Sequence, residues 1–232
     1  WNVEDVLRCF NRKLEEKKII LIYGCGPSLV ETVNKLQDKL NKRIFKISFN
    51  LAADGASMLL SEKGIPIDGI FTDLDGITKN EFHQTKFMIV HAHGDNLDKL
   101  DYFKDEIINF PNVIGTTQVK PDNDVLNPGG FTDGDRIIFF LRSLLRPYHV
   151  LFLIGMDFNK VIGRYSKPNM SKDEVGSPLK VKKLGYAVEL IKWITERINN
   201  DIYFVNSEPL DGNLKYLSIQ EFEELIGNKN NL

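Results

Sequence analysis

This chain has few cysteines, no long apolar run and no excess of basic residues, and each of these shortages argues against a class of protein. The two cysteines, Cys9 and Cys25, are too few for a disulfide framework and are typical of a reducing cytoplasm. The longest apolar stretch, 137–145, is interrupted by Arg142 and is too short to span a bilayer. Lysine and arginine number 30 against 32 acidic residues, so the chain lacks the basic excess of nucleic-acid-binding proteins. We therefore expect a cytoplasmic protein with neither a nucleic-acid nor a membrane partner.

Short apolar segments alternate with amphipathic ones along most of the chain. Strands are predicted at 19–23, 44–49, 67–71, 87–90, 112–115, 150–154 and 202–205. Helices are predicted at 28–40, 51–62, 97–108, 132–145, 181–198 and 218–226. This alternation favours a mainly parallel, Rossmann-like α/β sheet covered by helices on both faces. We expect a helical extension over residues 1–18 and a single α/β domain over 19–232.

The pattern Phe-Thr-Asp-x-Asp occurs twice, with its acids at Asp73 and Asp75 and again at Asp133 and Asp135. Carboxylates held this close repel one another unless a cation lies between them. Mg²⁺ suits such a pair, because it takes one or two carboxylates together with substrate phosphates. The alternatives are a solvated aspartate turn for the first pair and, for the second, the first turn of a helix capped by Thr132. Together the two pairs favour Mg²⁺ and phosphate chemistry.

A glycine-rich turn follows the first predicted strand, with the sequence Gly24-Cys25-Gly26-Pro27-Ser28. Such a turn lets a phosphate approach the backbone beside a helix N-terminus. Ser28 and Glu31 also have the spacing of a capping box, so a tight turn with a cap explains the motif equally well. Leu29 replaces the third glycine of a dinucleotide site, and Asn50 replaces its acid, which argues against NAD binding.

His91, His93 and Asp95 follow the fourth predicted strand with the spacing of part of a metallo-hydrolase zinc motif. Asn96 stands where that motif has histidine, and only His83 and His149 remain to complete a site of three or four ligands. We prefer Asp95 as a further Mg²⁺ ligand and the histidines as donors to phosphate or substrate. A histidine hydrogen-bonded at the end of its strand is the alternative for His91.

Glycines and cations near the second acidic pair are compatible with a phosphate chain. Gly129 and Gly130 would let phosphates pass close to the backbone, and Arg136 could neutralise them or pair with Asp133. Three lysines, Lys180, Lys182 and Lys183, start a predicted helix, where they oppose its dipole unless an anion is bound. Solvated surface lysines are the alternative.

Several motifs together resemble known pyrophosphokinases. Segments 53–56, 64–68 and 72–75 resemble the thiamine pyrophosphokinase core, and 131–136 resembles its later acidic motif. The closer resemblance is to the archaeal 6-hydroxymethyl-7,8-dihydropterin pyrophosphokinase family, carried by 24–29, 91–96, 129–136 and 155–158. It extends from about residue 20 to residue 198, with Pro128 as a local departure from the aromatic residue expected there.

This resemblance implies an enzyme that transfers diphosphate from ATP to 6-hydroxymethyl-7,8-dihydropterin and releases AMP. It implies Mg²⁺ as cofactor, ATP and a reduced hydroxymethylpterin as partners, and a role in making a folate-like cofactor such as tetrahydromethanopterin. The expected catalytic residues are Asp73, Asp75, Asp133, Asp135 and His93, and the expected metal ligands are the same four aspartates with Asp95. The expected phosphate-binding residues are Gly24, Gly26, Pro27, Ser28, Asp54, Gly55, Gly130, Thr132, Arg136, Lys180 and Lys183. Position alone suggests Asn50, Phe131 and Asp157 for the pterin.

Three other interpretations stay open at this point. The acidic motifs are shared with thiamine pyrophosphokinases, so thiamine is an alternative acceptor. A zinc hydrolase would use His91, His93 and Asp95, and a nucleotide-binding protein without catalysis would use the same phosphate residues. The oligomeric state is open, with a homodimer as one option.

Overall fold

A parallel sheet forms the centre of the molecule in the computed structural model, which describes residues 2–40, 42–121 and 124–228. Its nine strands are β1 (Ile19–Tyr23), β2 (Phe49–Ala53), β3 (Ile67–Thr72), β4 (Thr85–Ala92), β5 (Val113–Thr117), β6 (Val125–Leu126), β7 (Val150–Ile154), β10 (Asp201–Val205) and β11 (Lys215–Leu217). The order across the sheet is β11-β10-β7-β1-β2-β3-β4-β5-β6, and every neighbouring pair is parallel. A separate antiparallel pair joins β8 (Val161–Ile162) to β9 (Glu174–Val175).

Helices cover both faces of this sheet. They are α1 (Val3–Glu15), α2 (Leu29–Leu40), α3 (Arg43–Ile47), α4 (Ala56–Glu62), α5 (Leu97–Tyr102), α6 (Lys104–Asn109), α7 (Asp133–Leu141), α8 (Pro178–Thr195) and α9 (Ile219–Asn228). Alternate residues of β1 enter different cores: Ile20 and Ile22 pack with α1 and α7, whereas Leu21 and Tyr23 pack with α2 and α9. The strands therefore read as continuous apolar runs, as expected where parallel sheets are buried on both sides. The predicted Rossmann-like fold is confirmed, while its likeness to the thiamine pyrophosphokinase domain stays a prediction.

The strand order reverses direction at β1. From β1 the chain adds β2 to β6 on one side, and it then crosses to place β7 on the other side of β1. The helices that follow β1 and β7, α2 and α8, pack on opposite faces of the sheet, which favours a crevice beyond the carboxyl ends of these two strands. A cleft lies at this point of the fold.

The first helix packs directly on the sheet. Phe10 of α1 is fully buried, with its ring 5.3 Å from Phe49, 5.1 Å from Phe87 and 5.4 Å from Phe140, all edge-to-face. Burial of such a ring cluster stabilises the helix against the sheet by several kcal/mol. The boundary at residue 18 between a helical extension and the α/β domain stays a prediction. Residues of α1 pack in the same hydrophobic core as the strands.

The second strand was predicted at the wrong place. Residues 44–47 belong to α3, where Ile44 and Phe45 are buried, and the strand runs from Phe49 to Ala53. Because an apolar run extends across both elements, periodicity alone does not separate a buried turn of helix from a buried strand. The helix predicted at 51–62 consequently begins only at Ala56.

Other boundaries differ for local reasons. The helix predicted at 97–108 is divided into α5 and α6 around the buried Phe103. Helix α8 begins at Pro178, earlier than predicted, because the hydroxyl of Ser177 accepts a hydrogen bond from the backbone N–H of Lys180 at 3.2 Å. Strands β6, β8, β9 and β11 are short and were not predicted. Within the described residues, no helix is both long enough and apolar enough to cross a membrane.

Candidate active site

The cleft lies at the carboxyl ends of β1, β2 and β7 and encloses about 620 Å³, part of it open to solvent. Gly24 and Gly26 from the turn after β1 form one wall, and Asp157 from the loop after β7 stands beside them. Asp54 and Asp133 bring two carboxylates to the same cleft. A Cβ atom at Gly24 would lie 2.6 Å from the sulfur of Met156, so only glycine allows the two loops to approach this closely.

Three carboxylates meet beside the cleft and form what we call the carboxylate cluster: Asp54, Asp73 and Asp75. One oxygen from each lies within 4.8 Å of the others. The sequence predicted Asp73 and Asp75 as ligands, but it placed Asp54 with the phosphate. Asp54 follows the true end of β2, so the misplaced strand concealed its position in the cluster.

Hydrogen bonds hold Asp54 in this position. Its Oδ1 accepts hydrogen bonds from the hydroxyl of Thr72 at 2.6 Å and from the backbone N–H of Gly76 at 3.2 Å. The residue adopts a positive φ of 49°, and Leu74 in the facing loop has a φ of 73°. Left-handed backbone at residues other than glycine costs free energy and is concentrated at functional sites.

The cluster carries more negative charge than its surroundings neutralise. Burial, with the charges of Asp73 and Asp75, raises the pKa of Asp54 from 3.8 to about 7, despite the opposing hydrogen bond from Thr72. Burial and the charges of Asp73 and Asp54 also raise the pKa of Asp133 well above its ordinary value. A divalent cation would remove this repulsion, so the donor set fits a hard metal ion.

Asn96 fixes the position of the loop that carries His93. Its side-chain amide donates to the backbone oxygens of Asp73 at 2.8 Å and His91 at 2.7 Å, and its oxygen accepts from the N–H of His93 at 2.9 Å. The Nε2 atom of His93 then lies 3.4 Å from Oδ2 of Asp73. The role of Asn96 in joining the ends of β3 and β4 was not predicted, because the sequence shows it only as a motif residue standing in place of a zinc-binding histidine.

The zinc site proposed on His91, His93 and Asp95 does not form. His91 is buried, with Nδ1 3.1 Å from the hydroxyl of Thr116, while Asp95 is exposed to solvent. Burial and the nearby charge of Arg136 lower the pKa of His91 to about 4, so it is neutral. Across residues 2–40, 42–121 and 124–228, the carboxylate cluster is the only group of three with the geometry for a metal ion.

A family model matches most of the chain. The model for 6-hydroxymethylpterin diphosphokinase MptE-like proteins matches residues 2–162, which include β1 to β7, the cleft turn and the carboxylate cluster. The chain belongs to this family. It is accordingly a diphosphotransferase.

Curated relatives in the family are all named 6-hydroxymethyl-7,8-dihydropterin pyrophosphokinase. The protein from Pyrococcus furiosus is 40% identical over 177 residues, covering 75% of this chain and 71% of the relative. The protein from Methanocaldococcus jannaschii is 36% identical over 199 residues, covering 79% and 77%. That from Methanothermobacter thermautotrophicus is 40% identical over 187 residues, covering 78% and 75%.

The second acidic pair divides into two roles. Asp133 lines the cleft, but Asp135 turns back to the start of α7 and accepts hydrogen bonds from the N–H groups of Phe131 and Thr132 at 2.6 and 2.7 Å. The Thr132 side chain accepts from the backbone N–H of Asp135 in return, so the two residues form a capping box, and the Thr132 hydroxyl also contacts the Asp135 carboxylate. Asp135 therefore stabilises the start of α7, as the alternative explanation of the second acidic pair predicted. Neither Asp135 nor Asp95 belongs to the carboxylate cluster.

Two glycines before α7 form a turn that packs tightly against Arg136 of that helix. Gly129 and Gly130 have φ values of 91° and 86°, and a Cβ at Gly130 would lie 2.6 Å from Cα of Arg136. Arg136 is buried and donates from Nη1 to the carbonyl of Gly129 at 3.3 Å. The predicted phosphate role of these residues stays a prediction.

Asn50 was wrongly assigned to the pterin. It is the second residue of β2, level with Leu21 in the middle of β1, and it is fully buried and not among the residues that line the cleft. Its oxygen accepts from the hydroxyl of Tyr23 at 3.1 Å, and its amide donates to the carbonyl of Phe45 at 2.6 Å. The misplaced second strand caused this error, because it put Asn50 at a carboxyl end.

The remaining predicted residues are spread around the cleft. Lys180 and Thr132 line it, whereas Lys183 is exposed and is not among its lining residues. Phe131 is 39% exposed and packs edge-to-face on Tyr186 at 5.4 Å. Leu184 also lines the cleft, so the first half of α8 borders the site.

The backbone N–H of Ser28 contacts protein in this structure. It donates to Oδ2 of Asp157 at 2.8 Å, so an aspartate rather than a phosphate occupies the start of α2. The expected reciprocal capping box with Glu31 is replaced by this contact from the loop after β7. Pro27 stands directly before this contact in the turn.

The loop of residues 157–177 packs over the turn after β1. The N–H of Gly163 donates to the carbonyl of Cys25 at 3.1 Å. The carbonyl oxygen of Tyr165 lies so close to Gly55 that a Cβ atom added there would be only 1.9 Å from it. Lys167 thereby places Nζ 3.5 Å from Oδ2 of Asp75. Lys167 was missed because nothing in its local sequence indicates a partner so distant along the chain.

Proposed function

We propose that the protein transfers diphosphate from ATP to 6-hydroxymethyl-7,8-dihydropterin, with Mg²⁺ as cofactor and AMP as the second product. The observation that carries this proposal is the carboxylate cluster at the border of a cleft, in a chain that belongs to a diphosphokinase family. The curated relatives supply the acceptor, since each is named for this pterin.

The carboxylate cluster is the part of the site that would hold Mg²⁺. Its oxygens are the ligands that this ion prefers, and the raised pKa of Asp54 reflects a charge that a cation would neutralise. When bound, Mg²⁺ supplies charge neutralisation on the phosphate oxygens and polarises the β-phosphoryl group.

The reaction balances without a further reactant. The hydroxymethyl oxygen of the pterin forms a bond to the β-phosphorus, and the bond from that phosphorus to the α,β-bridging oxygen breaks. AMP leaves with the bridging oxygen, and the hydroxyl proton passes to a base. Such transfers depend more on positioning and electrostatics than on covalent participation by protein groups.

His93 is our candidate for the base. Its Nε2 faces Oδ2 of Asp73 at 3.4 Å, which leaves Nδ1 as the atom that takes the proton. In this structure Nδ1 accepts the backbone N–H of Asp95 at 3.2 Å, a contact that the substrate hydroxyl would replace. Proton transfer to a positioned imidazole is a common way to assist attack by a hydroxyl group. Asp133, whose pKa is raised, borders the cleft and is a second group able to take part in proton transfer there.

The test is an incubation of the protein with ATP, Mg²⁺ and the reduced hydroxymethylpterin, with nucleotides separated by chromatography. We expect AMP and pterin diphosphate in equal amounts, dependent on added Mg²⁺ and abolished by EDTA. The Asp73→Asn variant should lose activity while retaining its fold by circular dichroism. ADP as the sole nucleotide product, or faster transfer to thiamine than to the pterin, would contradict the proposal.

A further inference from the structure

We propose that the cleft receives the pterin ring and that Asp157 recognises its 2-amino-4-oxo-pyrimidine edge. This inference rests on the proposed function and assigns one of its two substrates to the pocket between β1 and β7. It makes Asp157 a specificity-determining residue.

The carboxylate of Asp157 is held in a fixed orientation. Its Oδ2 accepts the N–H of Ser28 at 2.8 Å, and a Cβ at Gly26 would lie 2.4 Å from the same oxygen. Within the described part of the chain, this is the one hydrogen bond that the carboxylate accepts. A carboxylate has about four acceptor positions, so the group retains capacity for a ligand in the cleft. The Oγ atom of Ser28 is also buried without a partner in that part of the chain.

The chemistry of a carboxylate selects between the two substrates. The pyrimidine edge of a pterin presents two adjacent donors, the 2-amino group and N3–H, which match both oxygens of one carboxylate. The corresponding edge of adenine presents a donor and an acceptor, and the acceptor would face a carboxylate oxygen. Asp157 therefore favours the pterin over the adenine ring.

The walls of the cleft suit a flat heterocycle. Apolar side chains line it on the side of the loop after β7 and of α8: Met156, Phe158, Val161, Ile162 and Leu184. Pockets for such ligands are commonly apolar with a few placed polar groups. The start of α2, a common phosphate site, is already occupied by Asp157, which opposes binding of the nucleotide phosphates at that point.

The same cleft also carries carboxylates that connect it to the metal site. Asp54 and Asp133 line the same cleft as Asp157, and Asp54 belongs to the carboxylate cluster. In the pterin the 6-hydroxymethyl group lies at the opposite end of the bicycle from the 2-amino group. Recognition of the 2-amino edge by Asp157 therefore leaves the hydroxymethyl end of the ring free to face Asp54 and the carboxylate cluster.

The decisive variant is Asp157→Asn, which keeps the side-chain shape and an oxygen for the N–H of Ser28. Its amide nitrogen then faces one donor of the pterin, so we expect the KM for the pterin to rise about 10- to 100-fold. The KM for ATP should stay within about twofold of the wild-type value. Asp173→Asn is the matched control, because Asp173 accepts a backbone hydrogen bond from Arg164 in the same loop and is exposed outside the cleft.

A change in the ligand tests the same contact in the wild-type protein. In 6-hydroxymethyl-lumazine a carbonyl replaces the 2-amino group and would face the carboxylate. Wild-type protein should bind the pterin at least 10-fold more tightly than the lumazine in a fluorescence titration without ATP, and Asp157→Asn should lose this preference. Equal binding of the pterin and the lumazine by wild type would overturn the assignment of the cleft to the pterin. So would an Asp157→Asn variant in which only the KM for ATP is raised.

These outcomes separate the inference from the proposed function. Tight, Asp157-dependent pterin binding without any AMP formation would contradict the function and support the assignment of the cleft. AMP formation with an unchanged pterin KM in Asp157→Asn would support the function and refute the assignment.

Discussion

Replacement of Asp54 by asparagine should stabilise the metal-free protein while removing its activity. Asp54 is buried, and its Oδ1 already accepts hydrogen bonds from Thr72 and Gly76. An asparagine oxygen can accept both bonds, so the variant changes the charge with little change in shape. The wild-type residue, in contrast, keeps a carboxylate beside two others.

The size of the effect follows from the pKa of Asp54. Raising that pKa from 3.8 to about 7 corresponds to an upper limit of about 4 kcal/mol, at about 1.4 kcal/mol for each tenfold change. Below pH 4 the carboxyl group is protonated in both the folded and unfolded states, so the penalty is absent. Between pH 4 and 7 the unfolded chain loses this proton first, and the free energy of unfolding falls as the pH rises. Above pH 7 the full penalty remains.

The assay is thermal unfolding of wild type and Asp54→Asn in EDTA at pH 5 and pH 8. At pH 8 the variant should unfold several degrees higher, since 1 kcal/mol shifts Tm by about 2–4 °C in a domain of this size. At pH 5 the difference should shrink to a minor part of its value at pH 8. Added Mg²⁺ should raise the Tm of wild type and have less effect on the variant, because ligands that bind only the folded state stabilise it.

One result would refute this reasoning. If Asp54→Asn is less stable than wild type at pH 8 without metal, the carboxylate cluster is not under electrostatic repulsion. The structural argument for a cation would then be lost. Thr72→Val provides a control, since it removes a hydrogen bond to Asp54 without removing the charge, and it should destabilise the protein at both pH values.

Three further predictions concern the groups around the cluster. Lys167→Ala should raise the KM for Mg·ATP several-fold in steady-state kinetics, because Lys167 contacts Asp75 of the carboxylate cluster. Replacement of Lys172, an exposed lysine of the same loop, by alanine should leave this KM unchanged, and equal effects of the two substitutions would contradict a specific role of the Lys167 contact. Gly55→Ala should displace the carbonyl of Tyr165 and expose the loop of residues 157–177 to limited proteolysis, and an unchanged cleavage rate would argue against the close packing. His93→Gln should lower kcat by about 10²-fold or more with little change in either KM, and a kcat near that of wild type would exclude His93 as the base.

The sequence was most informative where an apolar strand pattern is followed directly by a turn or by functional residues. The strands β1 and β7 are buried on both faces, preceded by Lys18 and His149 and followed by glycine. Their apolar runs therefore had clear ends and were predicted at their observed bounds. The acids Asp73 and Asp75 follow β3 directly, and their role as cluster members could be inferred from the repulsion that such a pair entails.

Contacts between distant loops could not be predicted in the same way. The bond from Ser28 to Asp157 and the ion pair of Lys167 with Asp75 join segments that come together only when the sheet has formed. The apolar run across α3 and β2 was mispredicted for a local reason, because its pattern fits a buried helix and a buried strand equally well. The displaced strand then removed Asp54 from the cluster and put Asn50 at the site.

The position of β1 in the sheet has a consequence for synthesis of the chain. One edge of β1 pairs with β2 soon after both leave the ribosome, but the other edge pairs with β7, which lies in the second half of the chain. At roughly 5–20 residues per second, that apolar edge waits for many seconds before its partner emerges. An unpaired central strand is a template for association with other chains, so nascent protein should depend on chaperones during this interval. The same delay means that the cleft is completed late, because its walls come from both halves of the chain.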